Sequence, residues 1–140
     1  MSVISGERLR RLALESGMVT GVDPAHINAA SIDIVLGRLF LREAAPERPE
    51  DEEEFLVDLG LRKGPNFTEI VLEDGQHLDL LPGEFVLAES ANVFNLPDDV
   101  AAEYKLKSSH ARSTLNNALA GWCDPGWHGS VLTMEFKNNS

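Results

Sequence analysis

From Phe55 onward, short apolar runs alternate with turn formers roughly every ten residues. This spacing constrains the chain more than any other feature. The runs are Phe55–Leu59, Glu69–Leu72, His77–Leu80, Phe85–Ala88 and Ala91–Leu96, separated by Asp74-Gly75, Leu81-Pro82-Gly83 and Pro97-Asp98-Asp99. Segments this brief are too short for stable helices, and repeated turn signals at this spacing point to a β-sandwich or barrel.

The N-terminus has a different period. Leu9, Leu12 and Ala13 recur at helical spacing, with Ser5 as a possible N-cap and Gly17 as a stop. Turn formers fill Gly21 to Ala30. The alternation of Ser31–Gly37, continued by Leu39–Leu41, predicts a strand. Glu43 to Glu54 holds seven carboxylates, with Pro46 and Pro49 interleaved. It reads as an acidic surface loop, 43–54, and not as a metal site.

Near the C-terminus, Ser108–Leu115 combines cap-type residues with a short helical stretch, and Asp124-Pro125-Gly126 is a turn. Val131–Lys137 alternates as a strand. Leu132, Met134 and Phe136 share one face, so Glu135 belongs to the other, toward solvent or a pocket.

Composition narrows the function. A formal charge of −11 disfavours a duplex nucleic-acid partner, which would need a basic surface, but allows a small phosphorylated ligand held by a few local donors. Cys123 is the single cysteine, so no internal disulfide can form and a reducing cytoplasm is expected. No apolar run approaches the ~20 residues that a membrane span requires, and the first residues lack the pattern of a signal peptide.

Two clusters could carry chemistry. Ser108, Ser109 and Arg112, with Lys107 beside them, sit where a helical turn begins, and that geometry suits an anion. Ala120-Gly121-Trp122-Cys123-Asp124-Pro125-Gly126-Trp127 forms a second, aromatic corner. Taken singly, each is more often structural than functional: a capped helix with exposed cations, a turn aspartate, a core tryptophan.

Together, and in this order, they resemble the paired signature of the dCTP deaminase/dUTPase superfamily. Ser31-Ile32-Asp33-Ile34-Val35-Leu36-Gly37 resembles its early strand, and Leu81–Ala88 with Leu96-Pro97 its P-G-E-F strand. Leu132–Asn138 resembles its T-L-E-x-x-N segment. The likeness spans nearly the whole chain apart from the acidic loop. It implies a mostly β, distorted jelly-roll barrel with one short N-terminal helix and one short internal helix. It also implies a homotrimer with active sites at the subunit interfaces.

Under that resemblance Lys107, Ser108, Ser109 and Arg112 hold the triphosphate. Ala120, Gly121, Trp122 and Trp127 line base and sugar, and magnesium travels with the nucleotide. Residues 1–140 would form a single domain lacking the family's C-terminal strands and tail. Glu135 would be the general acid/base that activates water against the cytosine ring of dCTP, giving dUTP. The zinc route to that reaction needs a His/Cys/Cys or Cys₃ set, for which one cysteine is too few. Asp124 would orient water for the sister reaction, hydrolysis of dUTP, and Asp124-Pro125-Gly126-Trp127 favours the deaminase branch over it. A bifunctional enzyme would use both carboxylates. A silent trimeric homologue, structural or nucleotide-sensing, would use neither. Gly129 to Glu135 is one residue longer than the family spacing. A β-bulge must therefore absorb one residue if Glu135 is to face the pocket.

Overall fold

A computed structural model describes residues 2–44, 66–118 and 120–140. Most of the acidic loop and the expected strand Phe55–Leu59 lie outside these residues. The elements run α1 (Gly6–Leu14), β1 (Leu36–Glu43), β2 (Phe67–Val71), β3 (Phe85–Asn95), β4 (Ala102–Glu103), α2 (Ser108–Arg112), β5 (Leu115–Asn116), β6 (Trp122–Cys123) and β7 (His128–Asn138). A 3₁₀ turn at Pro24–His26 precedes β1. Among the described residues the strands form an antiparallel five-stranded sheet, β2-β1-β3-β7-β5, and a separate β4-β6 pair. The fold is therefore mostly β with two helices, as expected, but the barrel is not closed.

The apolar period of α1 buries Leu9 and Ala13 against the sheet. Ser5 occupies the N-cap without a side-chain bond. After the helix, the Met18 N–H donates to the Leu12 carbonyl (2.9 Å), reversing the chain around Gly17. The core continues through Phe40, Val86, Ala88, Phe94, Leu96, Leu132, Met134 and Phe136. β3 and β7 are aligned so that Val86 lies opposite Phe136 and Ala88 opposite Met134. Removing these side chains from water is the main term holding the two long strands together.

Three strand expectations change. The strand expected from Ser31 begins at Leu36, because the preceding residues satisfy their backbone in their own turn and through Asn92. Ile27 bridges Ile32, the Asp33 N–H donates to the His26 carbonyl (2.9 Å), and the Val35 N–H is taken by the Asn92 side chain (2.9 Å). Phe85–Ala88 and Ala91–Leu96, expected as separate runs, are one strand of 11 residues, Phe85–Asn95. A bulge between Glu89 and Val93 joins its halves. There the fully buried Ser90 hydroxyl accepts the Leu132 N–H (2.9 Å) and donates to the Asn92 carbonyl (2.6 Å). His77–Leu80 forms no strand: the Asp79 and Leu80 carbonyls accept from the Arg42 and Asn138 side chains and not from a neighbouring strand's backbone.

Asn92 is the central polar tie. Only 1% exposed, it donates from Nδ2 to the Thr20 and Gly21 carbonyls (3.1 and 3.0 Å) while its Oδ1 accepts from Val35. One carboxamide thus fixes the loop after α1 and the approach to β1 against β3.

Candidate functional site

β7 determines where Glu135 points. Leu132, Met134 and Phe136 are buried, and Val131, Thr133, Glu135 and Lys137 occupy the opposite face. A bulge lies upstream of these residues. Phe94 pairs with Ser130 while Asn95 pairs with His128, so Gly129 is the extra residue. Gly129 has φ 68°, which a residue with a side chain rarely adopts, and its N–H donates to the Asn95 side chain (3.0 Å).

Glu135, opposite Leu87, is half-buried, and its Oε2 is buried without a hydrogen-bond partner among the described residues. An orphaned buried carboxylate oxygen is uncommon in a folded protein and marks a place where a ligand or water would supply the missing donor. Tyr104 lies within its field. Burial first, and the Glu135 carboxylate second, push the phenol up to about 12, so it stays protonated.

The serine–arginine cluster gathers at α2. Lys107 is the N-cap, and Ser108, Ser109 and Arg112 are exposed. Arg112 has no ion-pair partner among the described residues. Lys107 is engaged: its Nζ lies 2.6 Å from Asp33 Oδ2. This bond, together with that of Asn28 Nδ2 (3.1 Å), holds the Asp33 carboxyl below its ordinary range. The early S-x-D strand motif therefore serves to tether the α2 turn, a role that alternation does not reveal.

The aromatic corner is tied closely to its own chain. Trp127 stacks on Phe94 (centroids 5.4 Å apart, 25° between planes), so one face of its indole belongs to the core. Trp122 is 58% exposed and donates from Nε1 to Asp124 Oδ1 (2.9 Å), fixing that carboxylate at the surface. Gly121 makes room chiefly for its own chain. A Cβ there would stand 2.8 Å from the Tyr104 carbonyl oxygen, and the Tyr104 N–H donates to the Gly121 carbonyl (2.7 Å). Ala120 is exposed beside it.

The aromatic corner approaches α2 through β4 and β6: Glu103 pairs with Trp122, and Tyr104, bonded to the Gly121 carbonyl, lies three residues before Lys107. Leu115, just after α2, pairs with Asn138 at one end of β7. Trp127 precedes His128 at the other end. At about 3.3 Å per residue β7 sets Leu115 and Trp127 roughly 30 Å apart.

Beside α2 is an open cavity of about 510 Å³ lined by Tyr104, Leu106, Thr114, Asn116, Asn117 and Asn139 among others. None of the ten sequence-predicted site residues lines it. Its lining residues Ala111, Thr114 and Leu115 fall within the Ser108–Leu115 stretch singled out in the sequence, and Asn116-Asn117 carries the signal of a turn. Among the described residues, no three His, Cys, Asp or Glu side chains gather as a metal site, and no helix is long and apolar enough to cross a membrane.

Comparison with known proteins fits this geometry. Residues 3–140 match the family described as dCTP deaminase-like. The chain is 37% identical over 140 residues to a dCTP deaminase, dUMP-forming, of Acidothermus cellulolyticus, covering 97% of this chain and 69% of that protein. It is 34% identical over 142 residues to the protein of that name from Thermobifida fusca, covering 99% and 68%. It superposes on the crystal structure of 2'-deoxycytidine 5'-triphosphate deaminase from Agrobacterium tumefaciens with a TM-score of 0.67 at 20% identity. That match covers 98% of this chain but only 42% of the solved chain. By sequence over almost its full length, and by fold, the chain belongs to the dCTP deaminase-like family.

Proposed function

We propose that this protein hydrolyses the amino group from dCTP and carries the product on to dUMP, within a homotrimer. The observation that carries the reading is Glu135, a half-buried carboxylate on the non-core face of β7 with one oxygen lacking a partner. In the deamination step Glu135 takes a proton from water as the oxygen attacks C4, then returns it to the departing nitrogen, and ammonia leaves. In the hydrolytic step Asp124 orients a second water toward the α-phosphorus of dUTP, releasing diphosphate and dUMP. The dUMP-forming designation of the relatives supports this product over the dUTP expected from the sequence alone.

Ser108, Ser109 and Arg112 hold the triphosphate through hydroxyls, backbone N–H groups and the guanidinium fork. Lys107 contributes less free charge, because Asp33 shares it. Ala120, Gly121, Trp122 and the open face of Trp127 flank base and sugar. Hydroxyl and cationic donors suit phosphate oxygens and not a resident metal ion. Magnesium would therefore arrive on the nucleotide, where it would neutralise phosphate charge.

The resemblance to the dCTP deaminase/dUTPase superfamily supports a site completed by a second copy of the chain. Incubation with dCTP and magnesium, with nucleotides separated and ammonia measured, tests the reading. dUMP, diphosphate and ammonia are expected. Glu135→Gln is expected to lower ammonia release by about 100-fold or more while leaving dCTP affinity within about threefold. Retained turnover in that variant would remove Glu135 from the mechanism, and intact dCTP with the wild-type protein would remove the function.

A further inference from the structure

We propose that Asn138 is a positioning residue: its side chain clamps a strained Thr114 and thereby holds the α2 turn in register with the end of β7. The inference rests on the proposed binding of triphosphate at α2. Thr114 is the second residue after α2 and has φ 67°, a left-handed conformation that a β-branched side chain rarely adopts. Such a residue persists only where its surroundings over-determine it.

Asn138 and its neighbour supply that constraint. The Thr114 hydroxyl lies between the Ser113 carbonyl (2.6 Å) and Asn138 Oδ1 (3.2 Å), and the Asn139 N–H donates to the Thr114 carbonyl (3.0 Å). The other half of the carboxamide is anchored elsewhere, with Nδ2 donating to the Leu80 carbonyl (2.9 Å). The backbone of Asn138 is fixed as well. Its N–H donates to the Glu84 carbonyl (3.1 Å) and its carbonyl accepts from Gly83 (2.8 Å). Ser140 completes the oxygen's environment, donating from N (3.0 Å) and Oγ (2.7 Å). One side chain therefore joins the Leu80–Glu84 turn, β7 and the exit of α2. Thr114 and Asn139 also line the cavity beside α2, so loosening the clamp alters the space next to the serine–arginine turn.

Asn138→Ala removes the clamp and leaves the strain. The expected result is dCTP affinity, measured by calorimetry with magnesium, lowered about tenfold, with deoxycytidine affinity unchanged. Adding Thr114→Gly, which accepts positive φ freely, is expected to restore dCTP affinity to within about threefold of wild type. A merely structural role would not be rescued by relieving strain at a single residue. Amide exchange across residues 108–115 is expected to accelerate in Asn138→Ala and slow again in the double variant. Thr114→Val, which keeps Asn138 and its other bonds, is expected to accelerate exchange there too and serves if Asn138→Ala does not fold. Unchanged exchange in a folded Asn138→Ala or Thr114→Val protein, or absence of rescue, overturns the clamp. If the wild-type protein binds no dCTP, the functional reading fails alone, and exchange still decides the clamp.

Discussion

Replacing Asn92 should reveal how strongly one buried carboxamide holds the approach to β1, and the sign of its pH dependence is fixed in advance. Asn92→Ala removes three hydrogen bonds, to Thr20, Gly21 and Val35. At about 1 kcal/mol net for each bond, the loss is roughly 3 kcal/mol. For a 140-residue domain the unfolding entropy is roughly 0.3 kcal/mol per degree, so Tm should fall by about 10 °C.

Asn92→Asp keeps the acceptor for Val35 but turns a carboxylate toward two carbonyl oxygens in a buried place. Its folded-state pKa must therefore rise above the ordinary value of about 3.9. With the folded value raised, the charged form is penalised. The deficit relative to wild type should be smallest below about pH 4 and grow as pH rises toward the folded value. Urea titrations of the three proteins between pH 4 and pH 8 measure this directly. An Asn92→Asp deficit that is flat with pH, or smaller than that of Asn92→Ala at pH 7, would refute the geometry assigned to this residue.

Two further outcomes follow from the site. Arg112→Ala should weaken dCTP binding by about 10- to 100-fold and leave deoxycytidine binding nearly unchanged, as calorimetry would show, because the guanidinium is assigned to phosphate alone. The Asp33–Lys107 pair should stabilise the fold above the unfolded carboxyl value of 3.8. That contribution should disappear as pH falls through the lower folded value. It should be no more than about 1 kcal/mol, as the lysine is largely exposed. Comparing Asp33→Asn with wild type in acid and neutral urea titrations checks both sign and size, and a gap that widens toward acid would contradict the assignment.

Much of this was legible in the sequence because local period and burial agree. The faces of β7 follow from Leu132, Met134 and Phe136, and α1 follows from Leu9 and Ala13. The order of motifs carried the family. What was hidden depends on distant partners. The alternation of Ser31–Val35 looks like a strand, yet its backbone is satisfied by its own turn and by Asn92, 57 positions away from Val35. Buried Ser90 and Asn92 interrupt the apolar run of β3 and so mimic a turn, while they in fact complete a bulge. Lys107 reads as a free cation until the fold brings Asp33 to it. No residue type announces the left-handed Thr114.

Subunit mixing tests the central claim most directly, since the phosphate turn and the tryptophan corner are proposed to reach one site from neighbouring chains. Arg112→Ala and Asp124→Asn proteins, each expected to form little dUMP at a dCTP concentration below the wild-type Kd, would be unfolded together and refolded in equal amounts. If each site draws Arg112 from one chain and Asp124 from its neighbour, about a quarter of the sites regain both residues, and dUMP formation should return to roughly that fraction of wild type. A mixture as inactive as its components, despite exchange of subunits, would contradict the shared site.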